Sequence, residues 1–241
     1  MKKIFFLTTV LLLTTYLAGC FYPEENRVEN QIAYPDQLES VRVAVENFQE
    51  DTGVLPIRTF EENTPLYHRY VVDFNQLVPR YLQQAPGTAL ENGGVFQYVL
   101  WDVEDSLQVR VVDLTSINEI QRLYTRVNEH IRKHSYAPVA EVLDHGLFKL
   151  DYEELGYSSE PYVKSPYYET FLPLLLTNDG EVVIDYRIDL NMALQEYEHD
   201  FQEGEDIRPI LLENTYFVPT RSVAYTLDEN GEPQYDMSLE K

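Results

Sequence analysis

Two hexapeptides constrain the fold more than any other feature of the chain. Val72-Asp73-Phe74-Asn75-Gln76-Leu77 and Leu150-Asp151-Tyr152-Glu153-Glu154-Leu155 share one pattern: apolar, Asp, aromatic, two polar residues, Leu. A helical pattern precedes each. In the first, Pro35-Asp36 opens the helix, and Asp36 with Glu39 has the form of a capping box. Leu38, Val41, Val45 and Phe48 then recur at helical spacing, until Gly53 and Pro56 end the run. In the second, Ser116 and Glu119 offer the box and Ile120, Tyr124, Val127 and Ile131 the stripe, with Pro138 beyond it. Each hexapeptide is also followed by two strand-like runs. Residues 95–103 and 107–112 flank Glu104-Asp105-Ser106, and residues 171–176 and 182–186 flank the turn Asn178-Asp179-Gly180. The offsets are 82 residues between the prolines, 78 between the Asp-aromatic motifs and 72 between Asp113 and Asp185. A drifting offset is what loop deletions in a duplicated unit leave behind. Coincidence between two α+β segments is the competing explanation.

These patterns predict an α+β fold of two repeated modules, each a long helix packed on a small antiparallel sheet. The expected spans are 36–115 and 116–188, with a C-terminal helix and hairpin over 189–241. Asp189 is the expected cap of that last helix, which carries Leu190, Ala193, Leu194 and Tyr197. Residues 210–218 and 223–227 read as strands, and the tail beyond Tyr235 as loose.

The N-terminus supplies an address. Lys2 and Lys3 precede a mainly apolar run over 4–18, and Leu17-Ala18-Gly19-Cys20 closes it with small residues and the one cysteine of the chain. The run is shorter than the ~20 apolar residues of a spanning helix. Those four residues resemble a bacterial lipobox, which implies a signal peptide over 1–19 and an acylated Cys20 as mature N-terminus. Polar residues 20–35 then read as a tether. The expected location is the extracytoplasmic face of the cell membrane, with membrane lipid as partner through Cys20. Loss of Lys2 and Lys3 leaves 16 cations against 41 acids, a net charge of −25 for the mature chain. Such a charge disfavours nucleic acid and anionic headgroups, so acyl chains have to hold the protein at the membrane. With 44% hydrophobic and 13% aromatic residues the chain has enough apolar material for a core.

Residues 36–103 also resemble the globular half of a type II secretion pseudopilin. The shared features are Asp51-Thr52-Gly53-Val54-Leu55-Pro56 at a helix end, Leu77-Val78-Pro79-Arg80-Tyr81-Leu82, Pro86, and Gly93-Gly94-Val95-Phe96-Gln97-Tyr98 entering a strand. The long apolar assembly helix of pilins has no counterpart here, because Pro23 and Asn26 flank Glu24. The resemblance therefore implies the module's shape and not filament assembly. As a whole the chain resembles lipoproteins of spore-forming Gram-positive bacteria, a family that implies no activity.

The search for chemistry yields few candidates. No glycines stand at the spacing of a nucleophile elbow or a phosphate loop, so no enzyme activity and no cofactor is expected. His130 and His134, at i and i+4, have the spacing of two metal ligands, but Ile131-Arg132-Lys133 lies between them and no third ligand is visible. A solvated helix end, with basic groups complementing the dipole, is the favoured explanation of the pair, and no metal is expected. Acid pairs such as Glu196 and Glu198 are unavoidable among 41 acids and read as solvated faces. The most suggestive stretch is Tyr157 to Tyr168, where Tyr157, Tyr162, Tyr167 and Tyr168 accompany Pro161 and Pro166. Rigid rings with polar tips suit recognition of an envelope protein or a glycan; packing over a sheet face explains them as well.

Two functions fit these expectations. The first is a membrane-anchored binding or scaffold protein of the cell envelope. The alternative is a solute-binding lipoprotein of a membrane transporter, and a buried polar-lined pocket between the two repeats would favour it. The pairing of strands as hairpins favours the first.

Overall fold

The computed structural model describes residues 35–61 and 64–240; Cys20 and the expected signal and tether lie outside the described residues. In the first module, helix α1 spans Pro35–Thr52 and buries Leu38, Val41, Ala44, Val45 and Phe48. That stripe packs on an antiparallel pair, β1 (Phe96–Trp101) and β2 (Gln108–Asp113), in register from Phe96↔Asp113 to Trp101↔Gln108. Between them comes the one-turn helix α2 (Phe74–Leu77), started by Asp73, whose Oδ1 accepts from the Asn75 N–H at 3.1 Å. At the entry to β1, a Cβ on Gly94 would lie 2.1 Å from the Thr88 carbonyl oxygen. Only glycine admits that backbone approach.

The second module repeats the order with a larger sheet. Helix α3 spans Ile117–His134. It is followed by β3 (Val139–Asp144), β4 (Leu147–Leu150), β5 (Tyr162–Lys164), β6 (Phe171–Thr177) and β7 (Val182–Ile184). The strand order is β3-β4-β6-β5, and β7 also pairs with β6. Helix α4 (Arg187–Glu196), a 3-10 segment Arg208–Leu212 and the hairpin β8 (Tyr225–Leu227) and β9 (Pro233–Tyr235) complete the chain. Two helix-and-sheet modules followed by a helix and a hairpin is the architecture read from the sequence.

Equivalent hydrogen bonds recur in the two modules. The Asp73 N–H donates to the Pro56 carbonyl at 2.8 Å, and the Asp151 N–H donates to the Pro138 carbonyl at 2.7 Å. Ile57 bridges Val72 as Val139 pairs with Leu150, and Val71 bridges Val99 as β4 pairs with β6. Asp151 Oδ1 accepts from the Glu153 and Glu154 N–H groups, as Asp73 does from Asn75. After the second hairpin strand, Asp113 accepts from the Thr115 N–H and Asp185 from the Arg187 N–H. The repeat is therefore a repeat of structure.

The chain sews its two halves together near the C-terminus. The Val111 N–H donates to the Tyr216 carbonyl, the Val218 N–H to the Val111 carbonyl, and the Ile184 N–H to the Arg221 carbonyl, all within 2.8–3.0 Å. One run, residues 216–221, thus borders the last strand of both hairpins. His68 Nε2 meets Thr220 Oγ1 at 2.6 Å across the same join.

Several expectations are corrected. Ser116 makes no capping bond with its side chain, and Asp113 holds the turn before α3 instead. Glu39 pairs with Arg42 and not with the helix start. The buried face of α3 is Ile120, Leu123, Val127 and His130, while Tyr124 is exposed. Residues 210–212 form a 3-10 turn, not a strand. The tail is tied down: Met237–Glu240 is a 3-10 turn, and the Met237 N–H donates to Asp144 Oδ2 at 3.1 Å. Among the described residues no helix is long and apolar enough to cross a membrane.

Candidate functional site

Asp189 organises the tyrosine stretch. It lies in the first turn of α4, is fully buried, and is not the helix cap. The Ser165 hydroxyl donates to its Oδ2 at 2.5 Å and the Thr170 hydroxyl to its Oδ1 at 2.6 Å. Burial raises the Asp189 carboxyl above the ordinary range, and the two hydroxyls pull it back. Ser165 Oγ in turn accepts from the Tyr167 and Tyr168 N–H groups at 2.9 and 3.1 Å. With the Ser165 N–H donating to the Thr170 carbonyl, the β5–β6 loop is fastened to α4 at both ends.

The four tyrosines separate into different environments. Tyr157 packs against the second core beneath the Arg126 guanidinium, 4.4 Å from its ring centroid. Tyr162 is 55% exposed and stacks edge-on against Phe171, which is 57% exposed, with ring centroids 4.7 Å apart. Tyr167 meets Tyr186 edge to face at 5.9 Å, and its buried hydroxyl has no hydrogen-bond partner among the described residues. Burial drives that phenol well above its ordinary value. Tyr168 donates its hydroxyl to Glu196 Oε2 at 2.9 Å. Burial, then the Glu196 carboxylate, raises this phenol as well, so it remains a neutral donor.

Tyr167 and Tyr168 form one wall of a half-open hollow of about 310 Å³. Helix α4 contributes Ala193, Glu196 and the neighbouring Tyr197; a further wall is made of Ile210, Leu211, Glu213, Asn214 and Thr215. That far wall is held from the first module, where Arg110 Nη1 on β2 donates to the carbonyls of Leu212 and Thr215. The hollow therefore sits where the second module, the C-terminal segment and an anchor from the first module meet. Its volume is at the low end of the ~300–1,000 Å³ usual for small-molecule sites. A second hollow, of about 330 Å³, lies between α1 and β2. Its arginines are already engaged, Arg42 with Glu39 and Glu46, and Arg110 with Gln108 and the two carbonyls.

The sequence did not single out Asp189, Ser165, Thr170, Glu213 or Arg110 for these positions. Their contacts are non-local, and no spacing rule reports them. His130 and His134 stack with ring centroids 4.4 Å apart. His130 is buried, contrary to a solvated helix end, and its Nε2 lies 3.6 Å from Glu154 Oε2. Among the described residues no group of three or more His, Cys, Asp or Glu is placed to hold a metal ion.

Residues 34–113 match the model of the YphF family N-terminal domain. The match ends on the last residue of β2, so it spans the first module and stops before the hollow's tyrosines and α4. No curated protein and no solved structure matches the chain.

Proposed function

We propose that this chain is an extracytoplasmic solute-binding lipoprotein, tethered through an acylated Cys20 and performing no bond chemistry of its own. The observation that carries the reading is the hollow beside Tyr167 and Tyr168. It is shaped by clamped elements, so little ordering has to occur on binding, and aromatic and polar groups converge on it. The test is saturation-transfer NMR of the full mature chain in detergent against a mixed library of small neutral, cationic and anionic solutes. Binders should be found, and Tyr168→Ala should weaken them at least tenfold while Tyr162→Ser leaves them unchanged. Binding that survives Tyr168→Ala, or a library without binders, contradicts the reading. The anchor is tested separately: Cys20→Ala should release the protein from membranes or leave its signal uncleaved.

A second reading, an envelope scaffold, is favoured by one observation, the exposed Tyr162 and Phe171 pair at the sheet edge. Exposed aromatic pairs suit contact with a protein or glycan. On that reading Tyr162→Ser abolishes partner capture in cross-linked cells and Tyr168→Ala does not.

A further inference from the structure

The composition of the hollow narrows the class of solute, on the premise that the hollow is the binding site. Two carboxylates line it, Glu196 on α4 and Glu213 after the 3-10 segment. Three tyrosines, Tyr167, Tyr168 and Tyr197, line it as well. None of the described residues lining the hollow is basic. Arg110 donates to the Leu212 and Thr215 carbonyls and to Gln108 behind the far wall and keeps its charge, which acts on Glu213 and Tyr167. Glu196 is therefore the carboxylate of the hollow without a guanidinium beside it. Glu196 accepts one bond from Tyr168 and keeps lone pairs to spare. Both glutamates are exposed, so neither is consumed in a buried ion pair.

We infer that the hollow takes a small organic cation, a primary or quaternary ammonium solute. Tyrosine faces attract such a cation through the ring quadrupole, and the lining carboxylates add a charge partner. A quaternary ammonium sheds its water easily and gains most from an aromatic lining. A bare metal ion is a poor fit, because no three-ligand group is present among the described residues. An anionic solute would meet both glutamates and the field of a chain with net charge −23.

The experiment is titration of the full mature chain in detergent, followed by amide NMR. The probes are tetramethylammonium, choline, putrescine and 3,3-dimethylbutan-1-ol, the uncharged carbon isostere of choline. At least one cation should shift the amides of Tyr168, Glu196 and Thr215 saturably, and the isostere should bind at least tenfold more weakly than choline. Glu196→Gln and Glu213→Gln keep the shape and an acceptor oxygen; each should weaken the cation at least threefold with no change in melting temperature. If the isostere matches choline, or if both glutamine variants bind as the parent does, the cation class is wrong while the site stands. If no cation binds but another library solute does so through Tyr168, the inference fails alone. If nothing binds at these amides, both the inference and the solute-binding reading are overturned.

Discussion

The two modules share a frame and differ in what is built on it. Each has a long helix, a proline whose carbonyl receives an aspartate N–H, a capped turn and an antiparallel hairpin. The first keeps little else: its hairpin is a two-stranded sheet, extended only by isolated bridges. The second lengthens the bridged segments into β3 and β4, adds β5 and becomes five-stranded. The loop bearing Tyr167 and Tyr168 belongs to that added material, as does the Ser165 and Thr170 clamp on Asp189. On the proposed reading the difference assigns the labour: the shared frame gives stability, and the added loop forms one wall of the site. The first module contributes one anchoring side chain, Arg110, to the far wall.

The equivalent aspartates Asp113 and Asp185 should break most unequally. Asp185 is buried and accepts from the Arg187 guanidinium and the Tyr225 and Tyr235 hydroxyls, whereas Asp113 is half-buried and holds one turn. Arg187 is 45% exposed, so the loss falls mainly on the two tyrosine hydroxyls that donate to the buried carboxylate. Bonds of this kind are worth about 1.5–3 kcal/mol each, and losing both costs about 3 kcal/mol or more. Asp185→Ala should therefore lower stability in urea unfolding by about that amount, and Asp113→Ala by about 1 kcal/mol. Equal losses would mean that the C-terminal hairpin does not depend on Asp185.

Leu77 and Leu155 close the two hexapeptides and are both buried. Truncation of either to Ala should cost about 2–5 kcal/mol, the usual range for a buried leucine. Because residues 216–221 border both hairpins, each variant should shift one common transition. Two separated transitions after either change would show that the join is weak.

How much of this was legible is best seen residue by residue. The hexapeptides, Pro56 and Pro138, and the hairpins could be read because their signals are local: an aspartate bonding two residues on, a broken helix, an alternating run. Strand β3 could not, since it is mostly exposed, carries charge and is interrupted by register shifts. Strand β5 has only three residues. Asp189 was misread because an aspartate near a helix start looks like a cap, while its true partners lie 24 and 19 residues upstream. His130 fell outside the predicted stripe, although its position on α3 is three residues beyond Val127. The four tyrosines were found as a stretch, but their division between core, edge and hollow depends on the fold.

A smaller effect follows from the join. Burial, then the Arg221 charge, lowers the His68 imidazole below its ordinary value of 6.5, and a Gln97 hydrogen bond opposes them. The unfolded chain therefore takes up this proton first. Stability from His68 is complete above pH 6.5 and declines as pH falls from there through the lowered folded value. His68→Gln should flatten that part of the stability–pH curve. An unchanged slope would show that His68 does not titrate across the join.

The central claim is that the site lies between the loop that the second module added and the C-terminal segment. Amide shift mapping of the full mature chain with a bound library solute tests it most directly. The account predicts shifts clustered at Tyr167, Tyr168, Ala193 to Tyr197 and Glu213 to Thr215, with the hollow between α1 and β2 silent. Shifts clustered on Leu38, Arg42 and Val109, or on Tyr162 and Phe171, would contradict it.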